Sequence, residues 1–323
     1  MRVLGIPGLS ATVVIDGRTV FSEGFGFADL EQHVPATPHT RFRIGSVSKS
    51  LTSVALGLLV EQGRLDLDAP IQRYVPSFPR KRYEITAREL AGHLAGIRHY
   101  VNGSEWYVAR HYGSVVEGLS IFRDDSLLAP PSTKFLYSSY GFNLLSAALE
   151  GAAGVPFLDY MHDRVFAPLG MRDTGPERLD SLIELRGRQY ERDSAGRVLN
   201  APYADPSYKW AGGGFLSSSD DLARLGAALV DGKLLKRETV EMLFTSQRTT
   251  DGKETGYGMG WFVGRDERGR RVVSHGGSAV GGSANVRLYP DQRAAIAVIA
   301  NDANDAFVGR ERATAILANV FVP

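Results

Sequence analysis

The two ends of this chain alternate apolar residues with a period of two, whereas the middle repeats them every three or four positions. That order constrains the fold more than any other feature. Residues 11–15 read as a strand, Asp16-Gly17 as a tight turn, and residues 19–26 as the returning strand; Asp-Gly between β-formers is a strong hairpin signal. After residue 256 the alternation returns, and segments 256–263, 271–275, 284–289 and 294–299 read as four strands. Between the ends the helical rhythm takes over. Leu51, Val54, Ala55, Leu58 and Leu59 share one face of a helix that stops at Gly63, with Gly57 implying a close neighbour. Further helices are expected over 86–94, within 104–125, and over 140–152, 156–165 and 222–230. A last helix over 310–321 would present Ala313, Ile316, Leu317 and Val320 on its apolar face.

The expected architecture is therefore α/β (α+β): a central antiparallel sheet drawn from both ends and flanked by helices. Residues 1–78 plus 205–323 would form the sheet domain and 79–204 a mainly helical insert. The cleft between them is the natural place for a site. The 323 residues are enough for a large core.

Charge and composition narrow the function. Lys plus Arg number 37 and Asp plus Glu 36, a net charge of +1 that gives no reason to expect nucleic acid or an anionic membrane as partner. There is no cysteine, which excludes disulfides, thiolate catalysis and Cys-based metal centres. The seven histidines form no His-Glu-x-x-His site, so neither a metal nor a cofactor is expected. No apolar run reaches the roughly 18 residues of a membrane span. Read as written, the chain is cytoplasmic; with an upstream leader removed it would be periplasmic or secreted. Self-association is left open.

The chemical signal is Ser46-Val47-Ser48-Lys49. A strand-like approach, 42–44, meets a Gly-Ser turn and a helix follows at once. A helix starting near Ser46 would put Ser46 and Lys49 on one face, about 4.5 Å apart along its axis. An amine beside a serine hydroxyl can activate it for covalent attack. No Gly-x-Ser-x-Gly elbow competes with it. Tyr137 is the next candidate: a phenol near a lysine ammonium would be stabilised as phenolate and could relay a proton. Ser139 would hydrogen-bond Lys49 or the substrate. His275-Gly276-Gly277-Ser278 closes the set. A strand ending at His275 would be followed by glycines that let a substrate backbone approach, and the N–H groups of Ser46 and Ser278 would cradle an oxyanion. The aromatic residues Trp106, Tyr107, Tyr112, Tyr208 and Trp210 either line the cleft or fill the core.

With these residues in order, the chain resembles the serine β-lactamase and penicillin-binding-protein-like superfamily, on its class C side. Ser46-x-x-Lys49 matches the nucleophile motif, Tyr137-Ser138-Ser139 the Tyr-x-Asn position, and His275-Gly276-Gly277 the Lys/His-Thr/Ser-Gly motif. Segments 42–52, 67–79, 93–100 and 207–216 carry a closer likeness to the mitochondrial serine β-lactamase-like group and its bacterial relatives. The resemblance implies a β-lactamase/transpeptidase-like fold and a serine hydrolase that forms an acyl-enzyme on a small ester or peptide substrate. Peptidase, amidase or carboxylesterase activity is the leading expectation. A true β-lactamase, a D-alanyl-D-alanine carboxypeptidase, or a binding or assembly protein that keeps the fold are the alternatives. The departures matter for this ranking. Ser139 replaces Asn, His275 the commoner Lys, and Gly276 a hydroxyl residue, so groups that would hold a β-lactam are altered.

Overall fold

The computed structural model describes residues 5–303, 308 and 311–323. Strands β1 (Gly8–Ile15) and β2 (Arg18–Asp29) form the expected hairpin. Asp16 and Gly17 both take positive φ, 49° and 71°, the conformation a two-residue turn of matching twist requires. A short strand β3 (Val34–Pro35) follows. Strand β4 (Phe42–Arg43) leads through a 3₁₀ turn, Gly45–Val47, into helix α1 (Ser48–Glu61). A Cβ on Gly57 of that helix would lie 3.0 Å from Leu235, so the glycine does sit at a close approach.

The central stretch carries α2 (Ala87–Ala91), α3 (Gly103–Trp106), α4 (Val115–Gly118), α5 (Ser139–Ala153) and α6 (Phe157–Met161). Three short strands come next, β5 (Gly175–Pro176), β6 (Tyr190–Arg192) and β7 (Val198–Asn200). They precede α7 (Trp210–Gly213), β8 (Phe215–Ser217), α8 (Ser219–Val230) and α9 (Arg237–Leu243). The chain closes with β9 (Phe262–Arg265), β10 (Arg271–Ala279), β11 (Gly282–Tyr289), β12 (Ala294–Ala300) and α10 (Arg312–Phe321).

The main sheet is antiparallel, with order β3-β2-β1-β12-β11-β10-β9. The two ends of the chain meet in register from Leu9↔Ala300 to Ile15↔Ala294. Every residue of β12 is buried because both sheet faces are covered. Ala295, Ala297 and Ile299 face the large core, which includes Leu222 and Leu225 of α8. Ala294, Ile296, Val298 and Ala300 face a second cluster that includes Ala313 and Ala318 of α10.

Several element bounds differ from the periodicity, each for a local reason. The helix expected over 86–94 has the Thr86–Glu89 capping box but ends at Ala91, because Gly92 caps it and His93 turns left-handed at φ 59°. Only short helical turns form within 104–125. The helix expected to 165 widens into a π turn at His162–Phe166. The strand expected from residue 256 begins at Phe262; Gly256 and Gly260 hold φ of 72° and 85°, which a strand cannot continue. Strand β10 does not end at His275 but runs on to Ala279, paired with Gly282. In α10, Ile316 and Val320 are exposed rather than buried. The small Ala313 and Ala318 lie against the sheet instead, and Phe321 packs on Phe21. Residue 310, included in that expected helix, lies outside the described residues. Among the described residues no single helix is long and apolar enough to cross a membrane.

The closure of the sheet around β12 gives a direct test. Ile296→Ala removes a fully buried side chain at the centre of the strand. Chemical denaturation should show a loss of about 2–5 kcal/mol; a loss under about 0.5 kcal/mol would mean that this contact does not hold the layers together.

Candidate active site

The site forms where the turn before α1 rests on the edge of β10. Strand β4 pairs with β8 (Phe42↔Ser217, Arg43↔Leu216), which aims the chain at this edge. Two glycines allow the contact. A Cβ on Gly277 would lie 2.0 Å from the Ile44 carbonyl oxygen and 3.0 Å from the Ser46 nitrogen. Gly45 holds φ at 49°, and its Cβ would lie 2.4 Å from the Ser278 carbonyl oxygen and 2.7 Å from the Ser278 nitrogen. No other residue fits either position without moving backbone. Gly277, expected to admit a substrate backbone, thus also admits the protein's own nucleophile turn. Gly276 sits beside it in the strand, and Ser46, Gly276, Gly277 and Ser278 all line one cleft of about 560 Å³.

Lys49 lies one helical turn after Ser46, as the spacing predicts, and is fully buried. Its Nζ is 3.0 Å from Ser46 Oγ, 3.0 Å from Ser139 Oγ and 2.6 Å from the Gly212 carbonyl oxygen. Burial, with the nearby Lys209 charge, pushes its pKa well below the ordinary lysine value. A neutral amine suits these three partners. It donates one hydrogen to Gly212 O, which can only accept, and one to Ser139 Oγ. The lone pair is then left for the Ser46 proton. Glycine again sets the spacing, because a Cβ on Gly212 would come 2.9 Å from Ser139 O and Asn143 Oδ1.

Tyr137 and Ser139 arrive at the N-terminus of α5. Ser138 caps that helix by accepting from the Gly141 N–H at 2.9 Å, and its own hydroxyl donates to the Arg98 carbonyl at 2.6 Å. Two histidines that the motifs did not single out hold the same turn. The Ser138 N–H donates to His93 Nδ1 at 3.1 Å and the Ser139 N–H to His99 Nδ1 at 3.2 Å. Both rings must then be neutral to accept. Burial agrees: it lowers His93 well below its usual range and His99 to about 4. The His93 ring also packs 4.2 Å from the Tyr137 ring.

The phenolate expected at Tyr137 is not supported. Burial raises the phenol well above its ordinary pKa, and the Ser46 hydroxyl offsets this only in part. Lys49 stands 4.9 Å from the ring centre, but burial disfavours the ammonium that would stabilise an anion. Tyr137 is a neutral hydroxyl at the side of Ser46 and Lys49.

His275 is placed beside the cleft but is also neutral. It is 1% exposed, and burial lowers its pKa to about 3. Its Nδ1 faces the Gly276 carbonyl at 2.6 Å, which fixes the hydrogen there, and its Nε2 accepts from the Tyr257 hydroxyl at 3.0 Å. Tyr257, fully buried, had no motif to mark it.

Of the five aromatic residues weighed for the cleft, Trp106 lines it. Tyr112, Tyr208 and Trp210 are core residues, and Tyr107 is exposed. His99, Tyr100, Lys209 and Phe262 line the cleft without a sequence signal. Among the described residues no group of three or more His, Asp or Glu could hold a metal ion.

The family model described as Beta-lactamase matches residues 1–320. The human mitochondrial serine beta-lactamase-like protein LACTB is 35% identical, over 90% of this chain and 70% of its own length. Among solved structures, the octameric penicillin-binding protein homologue from Pyrococcus abyssi superposes with a TM-score of 0.85 at 27% identity, over 99% of this chain and 74% of that one. EstCE1, a hydrolase with promiscuous acyltransferase activity, does so with a TM-score of 0.81 at 25% identity, over 94% and 91%.

The glycine contact is open to mutation. Gly277→Ala should cost about 1–3 kcal/mol in denaturation, by overpacking, and should leave Ser46 unreactive toward acylating probes. Unchanged stability together with unchanged labelling would mean that the turn is held elsewhere.

Proposed function

The chain belongs to the β-lactamase family, and from that premise we propose that it is a serine hydrolase forming an acyl-enzyme on Ser46, acting on ester or amide carbonyls. The observation that carries this reading is the buried Lys49 amine 3.0 Å from Ser46 Oγ, its pKa pushed well below the ordinary lysine value by burial.

Lys49 takes the Ser46 proton as Oγ attacks the carbonyl carbon. The N–H groups of Ser46 and Ser278 receive the developing oxyanion. The Lys49 ammonium then returns its proton to the leaving oxygen or nitrogen, directly or across the neutral Tyr137 hydroxyl, and the acyl-enzyme remains. Water enters by the same route in reverse and releases the acid. Ser139 and Gly212 keep the amine aimed at Ser46. Lys49, rather than Tyr137, is the general base in this scheme, because burial favours the neutral form of each and only the amine is a base when neutral.

Two features favour a peptidase, amidase or carboxylesterase over a specialised β-lactamase. His275 brings no positive charge to the β10 edge, and Ser139 lacks the amide of an asparagine. The acyl-transfer chemistry of the EstCE1 neighbour supports the same class. The octameric state of the Pyrococcus abyssi homologue supports self-association.

Mass spectrometry after treatment with a fluorophosphonate should find one adduct, on Ser46, absent from Ser46→Ala; an adduct that survives this substitution would sink the assignment. Lys49→Ala should lower ester turnover by about 10²–10⁴-fold with the fold intact. The pH profile gives a separate check. Because Lys49 works deprotonated, kcat/KM should be high above its pKa and fall as acid protonates it, with a midpoint well below the usual lysine value of about 10.4. A profile that rises only near pH 10 would assign the base to a lysine or phenol of ordinary pKa.

A further inference from the structure

One cation lines the cleft that the reaction scheme does not use. Lys209 is 6% exposed, immediately precedes α7, and opens onto the same cavity as Ser46. Its ammonium is surrounded by aromatic faces, 4.7 Å from the centre of Trp106, 5.1 Å from Tyr208 and 5.5 Å from Tyr100. Such faces attract a cation but offer it no anion.

The carboxylates near it are already taken. Glu177 is held by both arms of Arg43, at 2.6 and 2.9 Å. Asp205 accepts from the Ser207 N–H at 2.8 Å and faces His111 Nδ1 at 3.0 Å. Glu311, on the cleft wall, accepts from Ser274 and Arg287. Lys209 thus makes no ion pair or hydrogen bond to another described residue. A buried cation whose neighbouring carboxylate, here Glu177, is already held by another cation is costly unless something else completes its charge. Burial, with repulsion from Arg43, lowers its pKa to about 7, and attraction to Glu177 offsets this only in part, so the cost is visible on the ammonium itself. Lys209 is also the one cation among the described residues lining this cleft, since His275 is neutral.

We propose that Lys209 determines specificity by binding a carboxylate of the substrate, so that the preferred ester or amide carries a negative charge near its reacting carbonyl. This rests on the hydrolase reading above. The aromatic ring faces hold the ammonium in place, and the substrate's carboxylate completes its charge within the cleft. Lys209 touches the substrate away from the reacting atoms and takes no proton in the reaction.

The test is a ratio of rates. Two pairs of p-nitrophenyl esters are compared, one with and without a carboxylate at the end of the acyl chain, the other with and without a carboxylate on the phenol ring. The wild type should favour the charged member of at least one pair by about tenfold or more in kcat/KM. That preference should vanish in Lys209→Met and largely persist in Lys209→Arg, an outcome that a purely structural lysine would not produce. The pair that responds identifies the side of the scissile bond that Lys209 serves. A ratio near one in both pairs, or a ratio unchanged in Lys209→Met, overturns the proposal. If no ester is turned over, the hydrolase reading fails by itself, and calorimetry decides the Lys209 proposal. Ser46→Ala protein should then bind benzoylglycine more tightly than its amide, with the difference lost when Lys209→Met is added; equal binding of the two ligands overturns it.

Discussion

The site depends on one steric constraint: backbone from the start of the chain and backbone from its end occupy adjoining space with no side chain between them. Gly45 faces Ser278, and Gly277 faces Ile44 and Ser46. Because backbone meets backbone, the position of Ser46 relative to β10 is fixed by hard-sphere contact rather than by adjustable rotamers. The oxyanion donors proposed at Ser46 and Ser278 lie on either side of that contact, so whatever displaces it separates them. Lys49 is then placed by the helix that leaves the turn, and the 2.6 Å contact to Gly212 O stops its long side chain from wandering.

The electrostatics follow from the same close packing. Lys49, Tyr137, His93, His99 and His275 are all pushed toward their neutral forms by burial. A neutral base, a neutral phenol and hydrogen-bonded imidazoles form a polar but nearly uncharged floor. Lys209, its pKa lowered to about 7 by burial, and the engaged Glu311 also line the walls. In a region of low dielectric, a positive charge on Lys209 has more influence on ligand choice than it would at the surface.

Much of this was legible in the sequence, and the limits have physical causes. Ser46 and Lys49 are readable because their spacing is local and helical. The antiparallel sheet is readable because its residues alternate at both ends of the chain. Tyr137, Ser139 and His275 are readable by position, but their protonation is not. Proximity of Tyr137 to a lysine suggests a phenolate only if the lysine is charged, and burial, which decides that, is a property of the whole fold. Lys209 and Tyr257 carry no signature. The surroundings of Lys209 come from Tyr100 and Trp106, about a hundred residues earlier. The surplus length of β10 escaped because Gly276 and Gly277 look like a turn, whereas their lack of side chains serves packing.

The pairing of β1 with β12 also has a consequence in time. The ribosome makes Ser46 and Lys49 well before the strand on which their turn rests and before the β12 neighbour that β1 needs. Contacts so distant in sequence must wait for both partners and close slowly. The nascent polypeptide therefore carries its nucleophile without the surface that orients it until the strands of the sheet that follow the helical stretch have been made.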